Sequence, residues 1–165
     1  MILSLLLALA QTAPHAQHRP APKPAAAQPE HASKADEAAV IAAIDRMLAA
    51  LSAKDSAALI AATWPEGRGT GTGKRADGTP FVSSRAWPQF AEGLAQIPGK
   101  PVERNIGPHV HVDGDIAMVW TPYVFTIDGK LSHCGTNHFD LVRRDREWRV
   151  LNVTWTQRTT GCPAV

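Results

Sequence analysis

The residues best suited to chemistry lie in the second half of the chain. His138 and Asp140 are two positions apart, so on an extended strand they share a face. A carboxylate beside an imidazole fixes its tautomer and raises its basicity, which is what a general base requires. Tyr123, on the segment expected to pair with theirs, could donate to a developing oxyanion. His138, Asp140 and Tyr123 are therefore the candidate catalytic set, suited to proton abstraction next to a carbonyl. Trp120, Tyr123, Asn137 and Trp155 are the candidate lining of a ligand pocket, since aromatic walls suit a flat heteroaromatic or small apolar molecule.

Metal chemistry has a weaker basis. His109 and His111 also share a strand face, but two imidazoles do not complete a site. His133 and His138, five positions apart, project to opposite faces of a regular strand. They read as solvent-facing or hydrogen-bonded residues, and neither a metal nor a cofactor is expected. The run Gly67 to Gly78, GRGTGTGKRADG, invites comparison with a phosphate loop. That motif needs glycine at position 68, where Arg68 stands, and Ser or Thr at position 75, where Arg75 stands. A flexible loop or irregular hairpin is the expectation there.

The elements that must hold these residues follow from periodicity. Ser33 and Asp36 make a capping-box-like start for a helix whose residues Val40, Ile41, Ile44, Met47, Leu48 and Leu51 form one apolar stripe. A short second helix begins near Asp55 and ends before Trp64-Pro65. Ser83 and Ser84 offer caps for a third, with Trp87, Phe90, Leu94 and Ile97 on one side and Pro98-Gly99 at its end. From Pro101 the pattern becomes that of strands: 102–112, 116–127, 130–143 and 148–158, separated by Asp113-Gly114, Asp128-Gly129 and 144–146. Helices first and an antiparallel meander afterwards is an α+β order, with the helices packed on one sheet face. Strands 116–125 and 148–155 are apolar at both parities, so both faces need cover, the second from another subunit as a homodimer.

Composition limits the rest. The chain has 165 residues, 44% of them hydrophobic, including five Trp and four Phe. That is enough for one packed interior over residues 33–165, without room for a second domain. Seventeen Lys and Arg against fifteen Asp and Glu are spread without a basic block, which sets nucleic acid aside. Residues 1–10 carry an apolar run followed by small residues, the pattern of a signal peptide, and are too short to span a bilayer. Residues 11–32 are Ala, Pro, Gln and His, the composition of a disordered linker. The location expected is periplasmic or secreted, with no membrane association once the leader is removed. Such a compartment favours a disulfide between the two cysteines, Cys134 and Cys162. A hairpin turning near Asp145 pairs Cys134 with about Thr156 or Gln157, so the tail must fold back, and Gly161 permits the reversal.

The segments Trp120-Thr-Pro-Tyr123, Gly129-Lys-Leu-Ser-His-Cys-Gly135, Phe139-Asp-Leu-Val-Arg143, Glu147-Trp-Arg-Val150 and Gly161-Cys162 resemble the nuclear-transport-factor-2-like superfamily. They are most similar to its SnoaL-like, lumazine-binding branch. The resemblance spans about Asp36 to Cys162. It implies a cone-like curved antiparallel sheet wrapped around three N-terminal helices, with a pocket opening between them and frequent dimers. The superfamily includes ketosteroid isomerase, polyketide cyclases and scytalone dehydratase beside non-catalytic members, so the fold alone selects no activity. The branch carries an aspartate two residues after the Cys-Gly pair. Asn137 stands there in this chain, so an acid/base role does not carry over to that position. The leading expectation is a non-catalytic pocket domain for a small apolar or heteroaromatic molecule. The alternatives are an acid/base enzyme acting on a carbonyl compound, and an accessory dimer whose cone is filled by its own side chains.

Overall fold

Ser33 starts the first helix as the spacing predicts: its hydroxyl accepts from the Asp36 amide at 3.0 Å and donates to the Asp36 carboxylate at 2.8 Å. The computed structural model describes residues 33–75 and 77–164, so the expected signal peptide and linker lie outside the described residues. Helix α1 runs Lys34–Ala53 and buries Val40, Ile44, Met47, Leu48 and Leu51 along the stripe read from the sequence. It ends where Lys54 turns left-handed, its amide donating to the carbonyls of Ala50 and Leu51. Asp55 then caps α2, Ser56–Ala61, accepting from the Ala58 amide at 2.9 Å.

The next segment corrects the expected loop. Thr63–Lys74 is a twelve-residue strand, β1, which hairpins onto β2, Pro80–Ala86. Gly67, Gly69 and Gly71 are buried on its inner face. A Cβ at Gly67 would strike the Leu151 carbonyl; at Gly69 one would lie 3.2 Å from the Trp155 ring and 3.3 Å from Phe90, and at Gly71 2.7 Å from Trp155. The strand supplies backbone, and its neighbours supply the rings that fill the space above it. No apolar alternation is needed, which is why a strand pattern is missing from the sequence.

Ser83 and Ser84 belong to β2 rather than capping a helix; Ser84 Oγ meets Thr70 Oγ1 across the hairpin at 2.9 Å. Helix α3, Trp87–Gly93, opens after Ala86 without a side-chain cap and takes Pro88 in its first turn, where no amide is missed. A 3₁₀ turn, Leu94–Gln96, completes the run.

The expected strand 102–112 is broken in two at Ile106-Gly107-Pro108: β3 is Pro101–Asn105 and β4 is His109–Asp113, and both pair antiparallel with β5, Ile116–Ile127. Strands β6, Lys130–Arg144, and β7, Glu147–Gln157, follow at the expected places. Asp128 and Gly129, both at positive φ, form the tight β5–β6 turn.

The sheet has seven strands in the order β2-β1-β7-β6-β5-β3, with β4 beside β5. It is mixed rather than antiparallel, because β1 runs parallel to β7. Register shifts in the β1–β7, β5–β6 and β6–β7 pairs mark bulges, which bend strands and increase twist. The curved sheet closes over α1, α2 and α3, and the shared core includes Val40, Ile44, Leu59, Trp87, Phe139 and Val150.

Candidate functional site

Strand alternation sorts the predicted residues onto two faces. Along β5, Ala117, Val119, Thr121, Tyr123 and Phe125 are buried, whereas Ile116, Met118, Trp120 and Pro122 are exposed. Cross-strand pairing extends this split. Tyr123 pairs with Asn105 on one side and Gly135 on the other, Phe125 with Glu103, and Asn137 with Thr121 and Trp155. Trp120 pairs instead with His109 and His138, and Met118 with His111 and Asp140. Tyr123, Asn137 and Trp155 therefore face the helices. Trp120, His138 and Asp140 lie on the outer face, so the catalytic set read from the sequence is divided by the sheet.

The His138–Asp140 pair forms, Nε2 to Oδ1 at 3.5 Å, with Asn152 donating to Asp140 at 3.4 Å and Trp120 6.0 Å from the imidazole. It lies against solvent, where an exposed ion pair contributes little. His109 and His111 are exposed on β4, and among the described residues no three His, Cys, Asp or Glu side chains come together to hold a metal.

Inside the cone, Tyr123 is 1% exposed and its hydroxyl donates to the Thr156 carbonyl at 2.9 Å. That proton is already committed, so the phenol does not point free toward an oxyanion. Burial, together with the nearby Glu103 charge, pushes its pKa well above the usual phenol range, with Arg158 partly opposing. The space for the ring comes from Gly135, where a Cβ would collide with the ring and with the Thr156 carbonyl. His133 stacks on Phe125 at 4.6 Å, and burial lowers its pKa, which favours the neutral imidazole.

The polar centre of this face is a residue the sequence reading passed over. Glu103, on β3, accepts from Asn137 Nδ2 at 2.7 Å, and the same nitrogen donates to Asn105 Oδ1 at 3.1 Å. Asn137 is 2% exposed, so both of its amide hydrogens are spent on orienting its neighbours. Burial raises the Glu103 carboxyl to about 7, against which the Asn137 hydrogen bond pulls downward. Among the described residues Glu103 has no cationic partner within ion-pair distance. Its position in PVERN, beside Arg104, reads as an exposed strand; only pairing with Phe125 turns it inward.

Two spaces meet at this carboxyl. An inner cavity of about 40 Å³ is walled by aromatic and aliphatic side chains, among them Trp87, Phe90, Phe139 and Trp155. Phe90 stands edge-on to Trp155 at 6.2 Å and to Trp87 at 5.7 Å. An outer groove of about 430 Å³ runs between α1 and β3, past Ile41, Ile44, Asp45, Arg104 and Asn105. Leu48 and Glu103 belong to the walls of both. An apolar cleft with a few convergent polar groups is the usual form of a small-molecule site.

No family model and no curated protein matches the chain at the level of sequence. Solved structures do match in three dimensions. A Nostoc punctiforme protein of unknown function with a cystatin-like fold superimposes at TM-score 0.63 and 10% identity, over 79% of this chain and 96% of that one. A nuclear transport factor 2-like superfamily protein from Salmonella enterica superimposes at TM-score 0.58 and 20% identity, over 76% and 92%. This chain has the nuclear-transport-factor-2-like fold. A scytalone dehydratase-like protein from Novosphingobium aromaticivorans shares the fold at TM-score 0.58 and 11% identity, over 76% and 85%. Identities this low speak for the architecture and assign no branch, the SnoaL-like, lumazine-binding branch included. In this nuclear-transport-factor-2-like cone the candidate site is the Glu103–Asn137–Asn105 cluster with the aromatic cavity behind it and the α1 groove in front.

The cysteines bond as expected: Cys134 and Cys162 have Cα atoms 5.6 Å apart. Cys134 and Arg158 exchange backbone hydrogen bonds at 2.9 Å, and Gly161, at φ +65°, turns the tail back. No helix among the described residues is long and apolar enough to cross a membrane.

Proposed function

We propose that this chain is an exported pocket domain that holds a small, largely apolar molecule, with the polar end of that molecule at Glu103. The observation that supports it best is one half-buried carboxyl, oriented by Asn137, where an aromatic cavity meets an open apolar groove. Such a carboxyl is costly to bury for stability alone and is well placed to orient a ligand. The disulfide is consistent with an extracytoplasmic location, as the leader-like residues 1–10 suggest. Ile116, Met118 and Trp120 make an exposed apolar stripe on the outer face, which a second copy would cover.

Native mass spectrometry of the full chain purified from its own host tests this reading, with uptake of an environment-sensitive apolar dye as a second readout. A retained small molecule, or dye uptake that Ala49→Trp, at an exposed position on the α1 wall, abolishes by filling the groove, is the expected result. Neither retained mass nor dye uptake would remove the pocket and leave an accessory domain with a filled cone. The same spectra give the subunit count.

Acid/base catalysis on a carbonyl compound is the second reading, and the Glu103 carboxyl favours it, since a base that titrates near neutrality works well at neutral pH. The role then falls to Glu103, because His138 and Asp140 lie on the other face of the sheet. Exchange of ketone α-protons in heavy water, present in the native chain and absent in Glu103→Gln, distinguishes catalysis from binding.

A further inference from the structure

The charge balance around the pocket narrows the chemistry of its occupant. Glu103 lies where cavity and groove meet, and its partner Asn137 neutralises no charge. A second carboxylate, Asp45, stands on the α1 wall of the groove, against one cationic side chain, Arg104. Arg104 is exposed and, among the described residues, makes no ion pair with either carboxylate. The other titratable groups on this face are Tyr123 on β5, held above the ordinary phenol range, and His133 on β6, whose pKa burial lowers. Arg158, beyond β7, is close enough to act on Tyr123, and Glu103 makes no ion pair with it. An anionic ligand would meet two carboxylates against one guanidinium here; a cation would meet a carboxyl without an ion-pair partner among the described residues.

The walls agree with the charge. Trp155, Phe90 and Trp87 line the cavity directly behind Glu103, and aromatic rings attract ammonium groups through their negative faces. At about 40 Å³ the cavity takes a group little larger than one water molecule, so a compact head fits there and an extended body does not. The groove past Ile41, Ile44 and Leu48, at about 430 Å³, has the volume and an apolar wall for that body.

We infer that the pocket recognises a small organic ammonium ion, its charged head against Glu103 and the aromatic wall and its alkyl body along α1. The inference rests on the pocket reading above and specifies the ligand class for it. Nothing in it requires catalysis.

Calorimetric titration of the full chain with n-butylammonium, n-butanol and butanoate tests it, with the apolar dye run in parallel. At about pH 8 the ammonium is expected to bind at least about tenfold more tightly than the alcohol, and butanoate not to bind. Because the carboxylate form is required, affinity for the ammonium should fall about tenfold between about pH 8 and about pH 6, with no such change for the alcohol. Glu103→Gln, nearly isosteric, should erase the ammonium preference while keeping dye uptake, and that uptake reports that the variant is folded. Equal or tighter binding of the alcohol or of butanoate by the native chain overturns the ammonium assignment and leaves the pocket. Failure of all three probes and of the dye overturns the pocket reading and the assignment together.

Discussion

Glu103 is a residue whose cost to the fold can be measured. Its carboxyl titrates near 7 in the folded chain against 4.5 for the free side chain, so between those values the folded state holds more of the proton than the unfolded state does. Stability is then greatest below about pH 4.5 as far as this group is concerned, and it declines as pH rises toward 7. Glu103→Gln keeps an oxygen for the Asn137 amide and removes the charge. Near pH 8 the variant should be more stable than the native chain, by up to about 3 kcal/mol. Near pH 4.5 the two should be nearly equal. Urea denaturation at both pH values measures the difference, and a variant less stable at both would show that the carboxylate is satisfied in a way its neighbours do not account for. The same protonation limits the candidate chemistry: a carboxyl that titrates near neutrality can bind a cation or accept a proton under conditions where an exposed glutamate is always ionised. His138 and Asp140 make the opposite case, a pair of suitable types at suitable spacing that the sheet places in water.

Strand β1 shows how an element can exist without announcing itself. Its inward positions are glycines, so its side of the interior is built by Trp87, Phe90 and Trp155 from other elements. A methyl group at Gly71 would lie 2.7 Å from the Trp155 indole, closer than packed carbon atoms approach. Gly71→Ala is therefore expected to destabilise the fold by about 2 kcal/mol and to disturb Trp155 fluorescence, whereas Thr70→Ala, on the other face, should cost under about 1 kcal/mol. Equal effects at the two positions would contradict the close ring-on-backbone packing. Because Trp155 also walls the inner cavity, the first substitution should weaken dye uptake as well. The elements that did announce themselves are those whose own side chains carry the pattern: α1 by its stripe and its Ser33 cap, and β5, β6 and β7 by apolar runs set off by turn residues. Strands β3 and β4 were merged in the sequence reading because Val102 to Val112 alternates well enough; Gly107-Pro108 interrupts the pairing regardless.

At the scale of the whole molecule, the disulfide joins the last segment to the middle of the sheet across a separation of 28 residues. Closing a loop of that size stabilises the folded state by about 3.5 kcal/mol if chain entropy dominates. Reduction, or Cys162→Ser, should lower the denaturation midpoint accordingly and speed amide exchange at Arg158, whose amide donates to the Cys134 carbonyl across an isolated β-bridge. An unchanged midpoint on reduction would mean that the β-bridge alone suffices. The effect should extend to the site, since the Thr156 carbonyl that takes the Tyr123 proton lies two residues before that bridge.

The helix order, the late meander, the cysteine pair and the α+β class are determined by the sequence itself, because they depend on spacing along the chain and on how each residue type prefers to turn, cap or pair. The resemblance to nuclear-transport-factor-2-like proteins was likewise carried by local segments around Trp120, Gly135 and Trp148. What only the tertiary structure decided is which side of the sheet is inside. A strand offers two faces with equal claim, and a shift of one residue in pairing exchanges them. The covering helices and the bulged registers choose the face, and in doing so they turn Glu103 inward as the centre of the candidate site and leave His138, Asp140 and Trp120 outside.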